Sequence, residues 1–197
     1  SALQALEPSG RTPKPLFCDD SRELFPYGIL VMEWLPGRPL RYESDLADAA
    51  QILADIHTTP VPQQTRLLRP EYPAQAIFEE CLEMVEHYYC WEKADRTVCG
   101  LLEQLVREIG KLPLKEAAKS PRCIVNTELN SGNFLINQGA KSYLIDWEKP
   151  ILSEPEQDLG HFLVPTTTFW KTDVILTPEE IRQFVGLYRQ AVGERLD

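Results

Sequence analysis

No apolar run in the chain exceeds four residues, Ile29-Leu30-Val31-Met32 being one. That is far short of the ~20 residues a membrane-spanning helix needs. The opening residues carry no charged-then-apolar signal pattern. Positive charge is in deficit: Lys+Arg 20 against Asp+Glu 30 leave a net charge of −10. A surface that negative repels phosphate backbones and anionic lipid, so neither a nucleic-acid nor a membrane partner is expected. No C-x-x-C pair occurs among Cys18, Cys81, Cys90, Cys99 and Cys123. An odd number of scattered thiols with no metal spacing reads as reduced cysteine and a cytoplasmic protein. His57, His87 and His161 lie too far apart for an H-x-x-x-H arrangement, which leaves no basis for zinc. Internal repeats and low-complexity tracts are also missing.

What remains is an ordinary globular composition over 197 residues, 43% hydrophobic and 25% charged. A chain of this size buries roughly two-thirds of the surface its unfolded form exposes. Residues 1–23 are short of core material and rich in breakers (Pro8, Gly10, Pro13, Pro15), with 1–6 reading as the tail of a helix ending on Leu3 and Leu6. Gly28 to Met32 reads as a buried strand stopped by Pro36-Gly37. From Ser44 the apolar positions Leu46, Ala49, Ala50, Leu53 and Ile56 recur at helical steps until Pro60. Two more helices follow, with faces Ile77/Cys81/Met84/Val85/Tyr88 and Val98/Leu101/Leu102/Leu105/Ile109. Residues 122–146 change to strand periodicity, and Asn133–Ile136 and Tyr143–Ile145 flank a hairpin loop with Gly139 at a positive-φ position. The last helix opens on a capping box, Thr177-Pro178-x-Glu180, and shows Ile181, Phe184, Val185, Tyr188 and Val192 on one face. The fold class is α+β, mostly helical, with a leading strand and a central hairpin.

The chemistry concentrates in Asn126-Thr127-Glu128-Leu129-Asn130-Ser131-Gly132-Asn133 and, after the hairpin, Ile145-Asp146-Trp147. A carboxylate at Glu128, an amide at Asn133 and a second carboxylate at Asp146 converge at one end of that hairpin. Such hard oxygen donors suit Mg²⁺, which takes one or two protein ligands and completes its shell with water and phosphate oxygens. Composition alone favours a plain Ser-Gly-Asn turn flanked by solvated carboxylates.

Four segments in order resemble the aminoglycoside phosphotransferase/choline kinase-like family, relatives of the protein kinases. Leu129, Gly132, Asn133, Leu135, Ile145, Asp146 and Trp147 match its pattern H-G-D-L-x-x-G-N-hydrophobic-L followed by I-D-W/F. Ile29 to Gly37 resembles its strand and hinge L-M-E-Y-L-P-G, Leu53 to His57 its L-A-x-L-H, and Glu154 to Gly160 its G-D-P-x-x-D-L-A. The resemblance implies a protein-kinase-like C-terminal lobe, with 1–35 as remnant of the N-terminal lobe plus hinge strand and 36–197 as the helical lobe. It implies transfer of the γ-phosphoryl group of ATP (or GTP) to a small-molecule hydroxyl. In that reading Asn133 and Asp146 hold Mg²⁺, and Glu128 orients the acceptor. Met32, Glu33 and Leu35 form the adenine-binding hinge, and residues 71–112 supply a substrate-side wall. Asp158 accepts backbone N–H bonds from the catalytic loop, and His57 packs at its helix end.

Three departures qualify the expectation. Asn126-Thr127-Glu128 replaces His-Gly-Asp, and the extra methylene of Glu shifts its carboxylate by roughly an ångström, enough to cost on the order of 100-fold where positioning carries the rate. Asn126 lacks the size and the two ring nitrogens of imidazole, so weaker internal support of the loop is expected. No Gly-rich phosphate loop and no upstream strand lysine occur in the 197 residues. A weak or inactive kinase is therefore expected of this chain, the alternative being a non-catalytic binding or scaffold module. The acidic run Glu71–Asp95 fits either a cationic acceptor or a solvated helix face. A hinge strand without its sheet is expected to be covered by a partner chain or by self-association.

Overall fold

A computed structural model describes residues 2–116 and 120–196 and divides the chain into two compact units. One comprises Ser1–Leu68 with Pro121–Asp197, the other Arg69–Ser120. Ser1, the first residue of the expected helix tail, lies outside the described residues.

The first unit holds the core and the expected site. Helix α1 (Ala2–Leu6) buries Ala2, Leu3 and Leu6, which corrects the expectation that residues 1–23 lack core material. Strand β1 (Pro15–Asp19) then pairs antiparallel with β2 (Ile29–Met32). This pairing was not anticipated, because Pro13 and Pro15 argue locally against a strand. Proline is tolerated at the start of an edge strand, and the register slips between Pro15 and Phe17 to accommodate it. Nor is β2 buried as expected: Leu30 is 43%, Val31 47% and Met32 46% exposed. An apolar run reports hydrophobicity, whereas burial needs a second layer, and neither face of this two-stranded sheet is covered.

Helix α2 (Leu46–His57) follows, its buried stripe formed by Ala49, Ala50, Ile52, Leu53, Ala54, Ile56 and His57. It lies against α7 (Pro178–Val192), which buries Phe184, Tyr188 and Val192 and carries the expected capping box. Strand β3 (Cys123–Val125) pairs antiparallel with β6 (Ile151–Ser153), and β4 (Phe134–Leu135) with β5 (Tyr143–Leu144). Gly139 in the intervening hairpin has φ +72°, as its position required. Helices α5 (Pro155–Leu163) and α6 (Pro165–Lys171) complete the unit. Phe162 of α5 sits at the centre of the core, its ring 5.2 Å from Tyr42, 5.2 Å from Phe134 and 5.3 Å from Phe184.

The segment after the hinge is fastened to the hairpin. Arg38 and Ile136 exchange backbone hydrogen bonds (3.1 and 2.7 Å), and Leu40 N donates to Ser131 O at 3.0 Å. Gly37 makes this approach feasible: its φ is +145°, and a Cβ there would stand 2.7 Å from the Leu135 Cβ and 2.9 Å from its carbonyl carbon. The Arg38 guanidinium grips Asp45 bidentately at 2.5 and 3.0 Å, tying the same segment to the start of α2. Asp45 is nearly buried, and the Arg38 hydrogen bond, reinforced by Arg41 N–H and Ser44, lowers its pKa to about 2. An unfolded aspartate titrates near 3.9, so the depressed folded value stabilises the native state fully above about pH 5, and that share is lost as pH falls through about 2. In an Arg38→Met variant the Tm deficit relative to wild type should therefore be greatest at neutral pH and shrink below about pH 4. A deficit independent of pH in thermal melts would contradict the assignment.

The second unit is a helix pair, α3 (Pro73–Tyr89) and α4 (Arg96–Ile109), and α4 is capped by Asp95, whose side chain accepts from Thr97 N and Val98 N. The four carboxylates Glu79, Glu80, Glu83 and Glu86 of α3 are exposed.

Candidate active site

The loop between β3 and β4 carries Glu128 and Asn133, and Asp146 follows β5. Asn133 ends a 3-10 turn, Ser131–Asn133, that Asn130 caps by accepting from Gly132 N at 2.9 Å. The Asn130 amide also donates to Asn133 Oδ1 at 2.7 Å, and Asn133 Nδ2 donates to Glu128 O at 3.2 Å. Asn133 is thus buried and oriented from both ends of its side chain. Beneath it, Ile145 N donates to Asn133 O at 2.8 Å, extending the β4–β5 pairing by one step, so that Asp146 follows directly on the residue paired with Asn133. Asp146 is exposed, with φ +63°.

Three non-glycine residues have positive φ among the described residues, Arg22, Thr127 and Asp146, and two of them are in this loop system. A β-branched residue at φ +77°, as Thr127 is, is a backbone outlier. Strain of this kind costs of order 1–3 kcal/mol and persists where surrounding contacts over-determine it. Those contacts are present. The Asp158 carboxylate accepts Asn126 N at 2.9 Å and Thr127 N at 2.8 Å, the loop-holding role expected of it. Thr127 Oγ1 donates to Lys149 O at 3.2 Å.

The expectation that Asn126 would leave the loop poorly supported needs correction. Its side chain is buried and bridges both halves of the site: Nδ2 donates to Asp146 O at 2.7 Å, and Oδ1 accepts Glu128 N at 3.2 Å. A carboxamide offers a donor and an acceptor on one planar group, so it reaches two backbone partners at once. His57 packs at the end of α2 as expected, fully buried, with Nε2 3.1 Å from Asp158 Oδ2 and Nδ1 2.9 Å from the Tyr188 hydroxyl. His161 of α5 contacts Leu129 O at 2.9 Å, giving the loop a second brace from the same helix.

Glu128 is exposed and paired with Lys149 Nζ at 3.0 Å. Lys149, Asn130, His161 and Tyr188 were not singled out from sequence as site residues. Only Asn130 had a local signal, an Asn two residues before Gly in a turn. On the hinge, Met32 closes β2 opposite Pro15, Glu33 N donates to Lys14 O at 2.8 Å, and Leu35 is half-buried.

The donor set can be tested against a divalent cation. Asn133 Oδ1 and the Asp146 carboxylate are hard oxygen donors; Oδ1 keeps a second lone pair beside its bond from Asn130, and the Asp146 carboxylate has no partner among the described residues. The pair fits Mg²⁺, which needs few protein ligands. No cluster of three or more His, Cys, Asp or Glu suited to a metal occurs among the described residues.

Among curated proteins none is significantly similar to the chain. Solved structures share its fold. A choline kinase, LicA, from Streptococcus pneumoniae superposes with a TM-score of 0.62 at 22% identity, covering 98% of this chain and 60% of that one. An ethanolamine kinase from Plasmodium vivax gives a TM-score of 0.64 at 18% identity over 98% of this chain and 57% of that one. A spectinomycin phosphotransferase, solved with ADP and spectinomycin, gives 0.59 at 20% identity over 98% and 62%. The chain thus spans about three-fifths of the length of these relatives. The model of the phosphotransferase enzyme family that includes the aminoglycoside phosphotransferases matches residues 1–195. With the Asp158-held loop and the mostly helical architecture already in place, that match makes this chain a member of the phosphotransferase enzyme family, with a protein-kinase-like fold.

Proposed function

We propose that this chain carries the catalytic-loop half of a small-molecule kinase that transfers the γ-phosphoryl group of ATP (or GTP) to a substrate hydroxyl. The observation that supports the reading is the Ile145 N to Asn133 O bond, since the exposed carboxylate of Asp146 follows directly on the residue paired with the oriented amide of Asn133. Asn133 and Asp146 would hold Mg²⁺, which when bound neutralises phosphate charge. Met32, Glu33 and Leu35 would receive the adenine. Glu128 would orient the acceptor hydroxyl after leaving Lys149, and since both partners are more than half exposed the pair is screened and easily parted. The net charge of −10 favours a cationic acceptor. Reduced thiols and nucleotide use both suit the cytoplasm.

Thermal melts with ATP, in Mg²⁺ and in EDTA, test this directly. Nucleotide at about 100 times its Kd should stabilise the fold by about 2.7 kcal/mol. The shift should require Mg²⁺ and disappear in Asp146→Ala and Asn133→Ala. No shift at millimolar MgATP, or an unchanged one in both variants, would sink the reading. A second reading, a non-catalytic binding module, draws on Glu128 being engaged by Lys149. If a misplaced carboxylate limits turnover, Glu128→Asp should raise it by up to about 100-fold; a variant still silent while MgATP binds would favour the module.

The β1–β2 hairpin supports self-association. Leu16, Phe17, Leu30, Val31 and Met32 are all between 43% and 68% exposed. An open strand edge beside exposed apolar side chains templates pairing with another strand, here of a second copy. Light scattering should find a dimer that Val31→Lys dissociates, and a wild-type monomer at high micromolar concentration would refute it.

A further inference from the structure

The deepest polar contact in the first unit runs away from the loop, from Asp158 through His57 to Tyr188 of α7. Every step is buried: the side chains of His57 and Asp158 are 0% exposed, and Tyr188 is 5% exposed. Hydrogen-bond direction can be worked out from the two ends. Asp158 receives backbone N–H groups at both oxygens and meets His57 Nε2 at 3.1 Å, so Nε2 must carry a proton and donate it. At the other end, burial raises the Tyr188 pKa, so its hydroxyl keeps its hydrogen. Among the described residues that hydroxyl has one hydrogen-bond partner, His57 Nδ1 at 2.9 Å. Were Nδ1 protonated, the hydroxyl would have to accept, and its own hydrogen would be left buried without an acceptor. Donation from Tyr188 to a bare Nδ1 satisfies every group.

We infer that Tyr188 is a positioning residue for the catalytic loop: its hydroxyl donates to Nδ1 of a neutral His57, fixing the Nε2–H tautomer that aims Asp158 at the amides of Asn126 and Thr127. This rests on the kinase reading only for its functional consequence. The consequence comes through Asn126, whose side chain holds both Asp146 O and Glu128 N, so Tyr188 of α7, 131 residues after His57 in the sequence, contributes to the geometry of the proposed nucleotide site.

The neighbouring core supplies a control. Tyr42 is also buried, at 2% exposure, and its hydroxyl has no partner among the described residues. Tyr42→Phe removes an unpaired hydroxyl, whereas Tyr188→Phe removes a paired one and strips Nδ1 of its donor. The test is nitrogen-15 NMR of the histidine rings in wild type and both variants, joined to MgATP titration by calorimetry. The wild-type His57 should show protonated Nε2 and a hydrogen-bonded, unprotonated Nδ1. Tyr188→Phe should shift the Nδ1 resonance and the Asn126 and Thr127 amide signals and weaken MgATP about tenfold, and Tyr42→Phe should do neither. A protonated Nδ1 in the wild type, or Asn126 and Thr127 amides unmoved by Tyr188→Phe, would overturn the relay. Absence of MgATP binding in the wild type would instead count against the kinase reading, with the ring signals still deciding the relay. Bound MgATP equally tight in wild type and Tyr188→Phe would overturn the positioning role.

Discussion

Asp158→Asn should be among the most damaging conservative changes in this protein, with an expected loss of about 3–5 kcal/mol, the range for breaking a buried charge-assisted network. The Asp158 side chain accepts three N–H groups, those of Asn126, Thr127 and His57, over its two oxygens. An Asn offers one oxygen and one NH₂, so at least one of those donors faces another donor in a site that no water reaches. Two outcomes follow together. Urea denaturation should show the stability loss, and Mg²⁺-dependent nucleotide stabilisation should vanish at temperatures where the variant is still folded, since Thr127 cannot hold φ +77° without its anchor. A variant within about 1 kcal/mol of wild type that still binds MgATP would mean that the loop is held by its remaining bonds.

Phe162→Ala should cost about 3–5 kcal/mol by the same measurement. The ring is fully buried and meets Tyr42, Phe134 and Phe184, so a turn, a strand and a helix lose packing at once and none can collapse alone into the space. Phe162→Leu should cost distinctly less, because it restores most of the lost volume. The effect should reach the site as well. Asp158 and Phe162 stand four residues apart on one face of α5, and Phe134 directly follows Asn133, so the core ring and the loop anchor share a helix. Equal stability of the alanine and leucine variants would show that cavity size is not the controlling quantity.

Helices long enough to repeat their period were legible in advance. The stripe from Leu46 to Ile56, the Thr177–Glu180 capping box and the turn at Gly139 rest on interactions within a few residues, and the structure places all three as expected. The loop residues Glu128, Asn133 and Asp146 were singled out on a different ground, an ordered set of motifs, and the roles given to them are those of the proposal. Strands β1 and β6 and helices α5 and α6 were not. β1 and β6 are five residues or fewer, and α5 and α6 are short helices, each beginning on a proline. In such segments local propensity is weak, and a distant partner decides the outcome: β6 is a strand because β3 is beside it.

Composition and local order along the chain settle the charge and the fold class, and ordered motifs mark the side chains to which the proposed chemistry is given. Folding settles which of them act together. Nothing local connects His57 with Asp158, 101 residues later, or with Tyr188, 131 residues later. Nor does the Asn126–Thr127–Glu128 spelling reveal that its amide would join both halves of the site. Hydrogen bonds of this sort depend on direction and on the exclusion of water, and both arise only once α2, α5 and α7 have packed around the loop.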